Sequence, residues 1–378
     1  MCAKIASLEH RALGLSSWYI SCPVGRYSHF RVFLGKIGMA HARISANLPP
    51  DIDPTKAPIA FGARALPKLN EELQSPELLT QQRALMALCD LVHDPENVYQ
   101  AVRIGFLDTL KTLVPHHDST VRQKTTEVLS IMAMHNVGRQ GLIDNGVISA
   151  LGELLDDPVD ICRKNTHQVF EMLAKLPEGA VGIVTAGLIP SLVLKLKTEL
   201  DEIQELILDT LSNCLHVEAS EALAADAIPI LKEKLTHSSV AIISKAAWVL
   251  LAAGTHPEGK TAICEEVTPV LVSLLEDADP EVQASATGAL MFATIKPQGR
   301  FSALHAGAIP HLLKLVAEET SRARLNAIKT LTMLAELPQG RQTLLDHIDT
   351  FQQCLNDPRE AVQRAAETAI SVIKWKPF

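Results

Sequence analysis

The octapeptide GTHPEGKT, Gly254 to Thr261, meets the pattern G-x-x-x-x-G-K-[ST] at every required position, and its reading decides the fold. A phosphate loop works when a strand delivers a glycine-rich turn whose backbone N–H groups converge on one cavity, and a following helix adds its positive N-terminal end. The surrounding sequence supplies a different context. Residues 176–190 read LPEGAVGIVTAGLIP, residues 296–310 read KPQGRFSALHAGAIP, and residues 256–269 read HPEGKTAICEEVTP. The octapeptide is thus one copy of a repeated phrase. Its glycine recurs as Gly138, Gly179, Gly259, Gly299 and Gly340, in steps of about 40 residues or two of them, which is a helical-repeat period.

A second marker fixes the register. Pro67, Asp108, Ser149, Pro190, Pro229, Pro269, Pro310 and Asp349 end similar phrases at spacings of 39 to 41, so eight units fit between Phe61 and the C-terminus. Five residues before the loop glycine, the other copies carry Ala174, Thr294 or Ala335, which makes Gly254 an incidental match. Arg139, Arg300 and Arg341 stand where Lys260 stands, so a basic residue belongs to the repeat and not to a nucleotide site. AAWVLLAA before Gly254 is apolar enough to read as a buried strand, but its aligned copy LNAIKTLTMLAE alternates on a helical period. A nucleotide binder acting through 254–261 is therefore the rival reading from another class.

Composition agrees with a solenoid. The chain of 378 residues is 47% hydrophobic but only 4% aromatic, and Ala, Leu, Val and Ile suit short helices that bury their faces against neighbouring units. A net charge of −8 argues against a general nucleic-acid binder, which needs a basic surface. Seven scattered cysteines without C-x-x-C read as small apolar fillers in a reducing compartment. His116-His117 lies in the loop VPHHDST, and no H-x-x-x-H pair with a carboxylate appears, so no metal, cofactor or catalytic residue is expected. No run of about 18 apolar residues suggests a membrane span.

The N-terminus differs from the rest. Met1 to Gly38 holds Lys4, Arg11, Arg26, Arg31 and Lys36 against one acid, Glu9, together with Trp18, Tyr19, Tyr27, Phe30 and Phe33. Glu9-His10-Arg11 interrupts a secretory apolar core, and the basic, acid-poor composition keeps a mitochondrial leader open. The preferred reading is a disordered extension, residues 1–38, ahead of a second start at Met39. Residues 39–60 then form a proline-rich lead-in, NLPPDIDPTKAP included, and residues 61–378 the solenoid.

Each unit has a readable grammar. From Thr268-Pro269 a helix starts on proline; AspAlaAspPro at 277–280 breaks it, with Asp as cap and Pro as first helical residue; a longer helix runs to Pro-Gln-Gly. Asp157-Pro158 and Asp357-Pro358 repeat the break. The pattern of short, medium and long helix, with A-G-[AL]-I-P-x-L and D-P-x-V-Q-x-x-A-x-x-A-L, resembles the armadillo-repeat family from about Phe61 to Trp375. The resemblance implies an all-α, right-handed superhelical solenoid of about eight three-helix repeats whose third helices line a concave groove.

In importin-like armadillo proteins each third helix places a Trp and, four residues later, an Asn in that groove to hold an extended basic peptide. Transferring that register gives a first row of Met86, Glu127, Gln168, Asp209, Trp248, Gly288, Lys329 and Thr368. The second row is Asp90, Ile131, Met172, Asn213, Ala252, Phe292, Met333 and Val372. Only Trp248 and Asn213 match, on different repeats, so nuclear-import cargo binding does not carry over. Apolar Ile131, Met172, Phe292 and Met333 favour the apolar face of a partner helix, or else pack inward as helix core. Gln168, Met172, Asp209, Asn213, Trp248, Phe292 and Met333 are the candidate partner-binding groove.

From Met39, MAHARISANLPPDIDPTKAPIAFGARALPKL and the closing AISVIKWKPF resemble the armadillo-type subunits of radial spokes, the complexes that link doublet microtubules to the central pair. That resemblance implies a structural, non-enzymatic subunit of the cilium or flagellum axoneme, part of the cytoskeleton in the cytoplasm, with other radial spoke proteins as partners. It implies no nucleic acid, membrane or small-molecule substrate. A cytosolic armadillo adaptor for transport or signalling is the alternative within binding modules.

Overall fold

The computed structural model describes residue 62, residues 64–318 and residues 322–376, and every regular element among them is helical. The chain divides into two units, Met1–Leu48 and Pro49–Phe378, and the described helices all belong to the second. Residues 1–60, on which the extension and lead-in expectations fall, lie outside the described residues. Among the described residues no single helix is long and apolar enough to cross a membrane.

Eight long helices recur at the expected period: Leu78–Leu91, Ser119–Ala133, Asp160–Ala174, Asp201–Cys214, Val240–Ala253, Pro280–Ala293, Arg324–Leu334 and Glu360–Ile373. Each is the third helix of a repeat, and consecutive ones pack side by side along the array. Two shorter helices precede each, as Pro177–Thr185 and Ile189–Lys195 do in the fourth repeat; among the described residues the first repeat shows only Ala65–Leu73. One apolar cluster runs from Leu66 to Ile373, so each unit completes its core on its neighbours.

The repeated glycine has a backbone reason. A Cβ on Gly138, Gly179, Gly259, Gly299 or Gly340 would lie 1.9 to 2.2 Å from a main-chain oxygen at the end of the preceding third helix. The first helix of each of these repeats therefore crosses the previous third helix backbone on backbone. Arginine in the next position caps the same helix end: Arg139 Nη1 donates to Ala133 O at 2.9 Å, Arg300 Nε to Thr294 O at 2.9 Å and Arg341 Nε to Ala335 O at 3.0 Å. The second repeat carries Asn97 instead, whose amide donates to Leu91 O at 3.0 Å.

The break before the third helix is built as a side-chain turn. Ser75 Oγ, Asp157 Oδ1, Asp277 Oδ1 and Asp357 Oδ1 each accept the N–H two residues on, at 3.2, 2.9, 2.8 and 2.9 Å. His116 and His237 do the same through Nδ1 at 3.1 and 3.0 Å, so the histidine of VPHHDST occupies an aspartate slot. Burial and the neighbouring His117 push the His116 pKa down, in the direction of the neutral ring whose Nδ1 can accept. Here the expected capping needs correction. Asp279 does cap Pro280–Ala293, but after Asp157-Pro158 and Asp357-Pro358 the helices start at Asp160 and Glu360, so those aspartates close the turn instead.

The glutamine of D-P-x-V-Q ties off the same turn from inside the helix. Gln283 Nε2 donates to Asp277 O and Gln363 Nε2 to Asp357 O, both at 2.7 Å. Arginine in that slot reaches further, into the next repeat: Arg122 pairs with Asp157 at 2.6 Å, Arg163 with Glu199 at 2.9 Å and Arg324 with Asp357 at 2.8 Å. Hydrogen bonds from Arg359, with the charge of Arg324 behind them, hold the Asp357 carboxyl down to about 2. Leaving such a buried ion without its partner costs about 3–5 kcal/mol, so these pairs lock neighbouring repeats in register.

Candidate functional site

The exposed stripe of each third helix follows from which residues its neighbours cover. On Arg324–Leu334, Ala327, Ile328, Thr330 and Leu331 are buried, and Leu325, Asn326, Lys329 and Met333 are left half-exposed. On Val240–Ala253, Trp248 is 36% exposed between fully buried Ala247 and Val249, one turn from half-exposed Lys245. Of these positions, Trp248, Lys329 and Met333 belong to the two rows that the sequence register picks out, and Lys245, Leu325 and Asn326 do not.

The candidate residues divide into three kinds. Asp209 and Asn213 share the fourth third helix, where Asn213 Nδ2 donates to the Asp209 carbonyl at 2.9 Å, so this amide is engaged by its own helix. The Asp209 carboxylate accepts from Lys245 of the next repeat at 2.8 Å, and Lys245 also holds Glu205 at 3.1 Å. Burial pushes the Asp209 carboxyl up in spite of that lysine. Gln168 is half-buried, with Ser130 Oγ 3.5 Å from its Oε1. Met172 packs against the core, and its sulfur lies 3.5 Å from Lys175 Nζ, which pairs with Glu171 at 2.6 Å. Met333 is half-buried.

Phe292 is the correction. It is only 7% exposed, and a Cβ on Gly254 would lie 2.8 Å from the Phe292 Cβ and 3.1 Å from its Cγ. The ring covers the end of the preceding third helix, so Phe292 is packing and not groove surface. Ile131, 8% exposed, is core in the same way. An apolar residue at helical period faces inward by default, and at these two positions that default holds.

The same contact explains the octapeptide. Gly254 ends the helix Val240–Ala253 and Pro257 opens the helix Pro257–Glu266, so a helix stands where a phosphate loop needs a strand. The N–H groups of Gly254, Thr255, His256 and Lys260 all donate to nearby helix carbonyls, at 2.8 to 3.1 Å, and converge on no cavity. Thr261 Oγ1 donates to Pro257 O at 3.1 Å, and the Gly259 face is covered by Ala253 O. Gly254 is required by Phe292 and Gly259 by a helix crossing.

Of the lysines on this face, only Lys329 falls in the rows of the sequence register. The third helices carry four among the described residues: Lys124 pairs with Glu127 at 2.8 Å, Lys164 with Glu202, and Lys245 with Glu205 and Asp209, while the Lys329 side chain has no hydrogen bond or ion pair with another described residue. Burial alone holds the Lys329 ammonium below the usual lysine range. The available signal was opposite charge one repeat away, 38 residues for Lys164 with Glu202 and 36 for Lys245 with Asp209. Among the described residues no cluster of His, Cys, Asp or Glu is placed to hold a metal ion. The described cysteines are buried, and burial pushes the thiols of Cys89 and Cys214 up to about 12.

No protein-family model matches the chain. Over 140 residues it is 26% identical to radial spoke protein 14 of Chlamydomonas reinhardtii, a match covering 34% of this chain and 36% of the algal protein. Among solved structures, an engineered protein superposes with a TM-score of 0.76 at 24% identity, covering 82% of this chain and 78% of its own. A designed armadillo repeat protein in complex with the peptide (KR)4 gives a TM-score of 0.56 at 24% identity over 60% of this chain and 99% of its own. Computationally designed armadillo repeat proteins for modular peptide recognition give 0.57 at 25% identity over 60% and 99%. The chain is an armadillo-type α solenoid with partial similarity to a radial spoke protein.

Proposed function

We propose that this armadillo-repeat chain is a non-enzymatic scaffold subunit of the radial spoke in motile cilia and flagella, held to neighbouring spoke proteins through the third-helix face. The observation that carries this reading is the 140-residue similarity to radial spoke protein 14. The architecture supports it: the chain presents a long, repeat-built surface, and in the loop that imitates a nucleotide site the N–H groups of Gly254, Thr255, His256 and Lys260 are engaged by helix carbonyls. Half-buried Met172 and Met333 and exposed Trp248, without a ladder of free amides, suit the side of a partner helix. Expression of the tagged chain in multiciliated cells, followed by detergent removal of the ciliary membrane, tests the assignment. Retention on the demembranated axoneme is expected. Complete release into the soluble fraction supports a cytosolic adaptor instead.

A further inference from the structure

The stretch from the fifth to the seventh repeat differs from the rest of the third-helix face in both relief and charge. Trp248, Gly288 and Lys329 occupy the same register on three consecutive third helices. On the middle helix little stands up: Ala284, Ser285, Gly288 and Ala289 are all buried, Met291 is half-exposed, and a Cβ on Gly288 would meet Leu251 Cδ1 at 2.4 Å. The half-exposed Gln283 of that helix is turned to the Asp277 carbonyl. Trp248 and Lys329 therefore stand on either side of a low floor at Gly288, edged by half-exposed Leu251, Met291 and Asn326, and about 20 Å apart at roughly 10 Å per helix layer.

The charges identify what fits there. The carboxylates in the fourth repeat are already engaged, Glu202 by Lys164 and Glu205 and Asp209 by Lys245, so that part of the face has little affinity left for a cation. Lys329 is the opposite case, a half-buried ammonium without a carboxylate partner among the described residues. An ion partly withdrawn from water and left uncompensated favours a ligand that brings the missing charge. The occupant's backbone is constrained as well. The second row here is Ala252, Phe292 and Met333, and half-exposed Asn326 is a single amide rather than a ladder to receive an extended chain's N–H and C=O groups, whereas a helix satisfies its own.

Resting on the third-helix face as the docking surface, we infer that the fifth to seventh repeats receive an amphipathic helix of a partner protein that lays an apolar side chain on Trp248 and an aspartate or glutamate on Lys329. At 1.5 Å per residue a span of about 20 Å is matched by a spacing of about 14 residues, and at 3.6 residues per turn that is close to four turns, which keeps both anchors on one side of the helix.

The test uses the full chain and two synthetic 20-residue helical peptides, each with a Phe anchor on an apolar stripe and, 14 residues further, either Glu or Lys. Fluorescence anisotropy measures binding to wild type, Lys329→Gln, Lys329→Glu and Trp248→Ala, with circular dichroism confirming that each variant is folded. Wild type is expected to bind the Glu peptide at least about tenfold more tightly than the Lys peptide, since charge-assisted pairing is worth more than about 1.4 kcal/mol. Lys329→Gln should abolish the preference, Lys329→Glu should reverse it, and Trp248→Ala should weaken both peptides. Equal binding of the two peptides by wild type, with both lost in Trp248→Ala, overturns the role of Lys329 while leaving the docking face standing. Binding that ignores Trp248→Ala, or no binding of either peptide, overturns both.

Discussion

At the scale of single residues, Trp248 and Phe292 show how far a periodic pattern can be read. Both are large aromatics on adjacent third helices, yet one is 36% exposed and the other 7%. Helical period alone cannot separate them, because the difference lies in Gly254, whose missing side chain makes room for the Phe292 ring. Trp248→Ala is accordingly expected to leave thermal stability within a few degrees of wild type, whereas Phe292→Ala costs about 3 kcal/mol of folding stability in urea titrations. Equal effects would refute the distinction. His167 was equally illegible, since nothing in its neighbourhood of sequence marks it as buried. It is fully enclosed beside Phe170, neither ring nitrogen has a partner, and burial lowers its pKa to about 4. A histidine depressed in the folded state stabilises fully above the unfolded value of about 6.5 and loses that contribution as pH falls toward 4. Between pH 7 and pH 5 this amounts to roughly 2 kcal/mol, and His167→Leu should remove that slope. An unchanged pH dependence in the variant would show that the imidazole is not buried neutral.

At the scale of elements, the repeat was legible because its punctuation has local physical causes. Glycine marks the crossing of two helix backbones, arginine after it caps a helix end, and the D-P-x-V-Q glutamine closes the turn it follows. What stayed hidden were the substitutions that keep the geometry with different chemistry, such as His116 and His237 in an aspartate slot. The octapeptide is the sharpest example, since letters that spell a phosphate loop serve here as a helix stop and a helix start. Lys260→Ala should behave as a surface change, and isothermal calorimetry should detect no magnesium-dependent ATP or GTP binding in wild type. Gly259→Ala, by contrast, forces a Cβ toward Ala253 O and should lower stability by more than about 1 kcal/mol, the onset of an overpacking penalty. Micromolar nucleotide binding lost in Lys260→Ala would reverse the interpretation.

At the scale of the whole molecule, stability is shared among interfaces between neighbours, because one apolar cluster threads all eight repeats and Arg122, Arg163 and Arg324 each bolt one repeat to the next. The eighth third helix buries a single stripe, Val362, Ala366, Ala369 and Ile373, and turns Glu360, Arg364, Glu367 and Lys374 outward. Ending the chain at Glu336 strips that polar cover from the seventh repeat, and the truncated protein is expected to aggregate on light scattering where the full chain stays monodisperse. The fold was readable from the sequence because every unit restates it, whereas the docking face was only half readable, since exposure on it depends on neighbours 36 to 41 residues away. The central claim, a spoke scaffold held by its third-helix face, is tested most directly by sucrose-gradient sedimentation of salt-extracted axonemal proteins from cells expressing the tagged chain as wild type or Trp248→Ala. Wild type is expected to sediment with the radial spoke proteins and Trp248→Ala alone near the top of the gradient. Wild type sedimenting alone, or both forms travelling with the spokes, contradicts it.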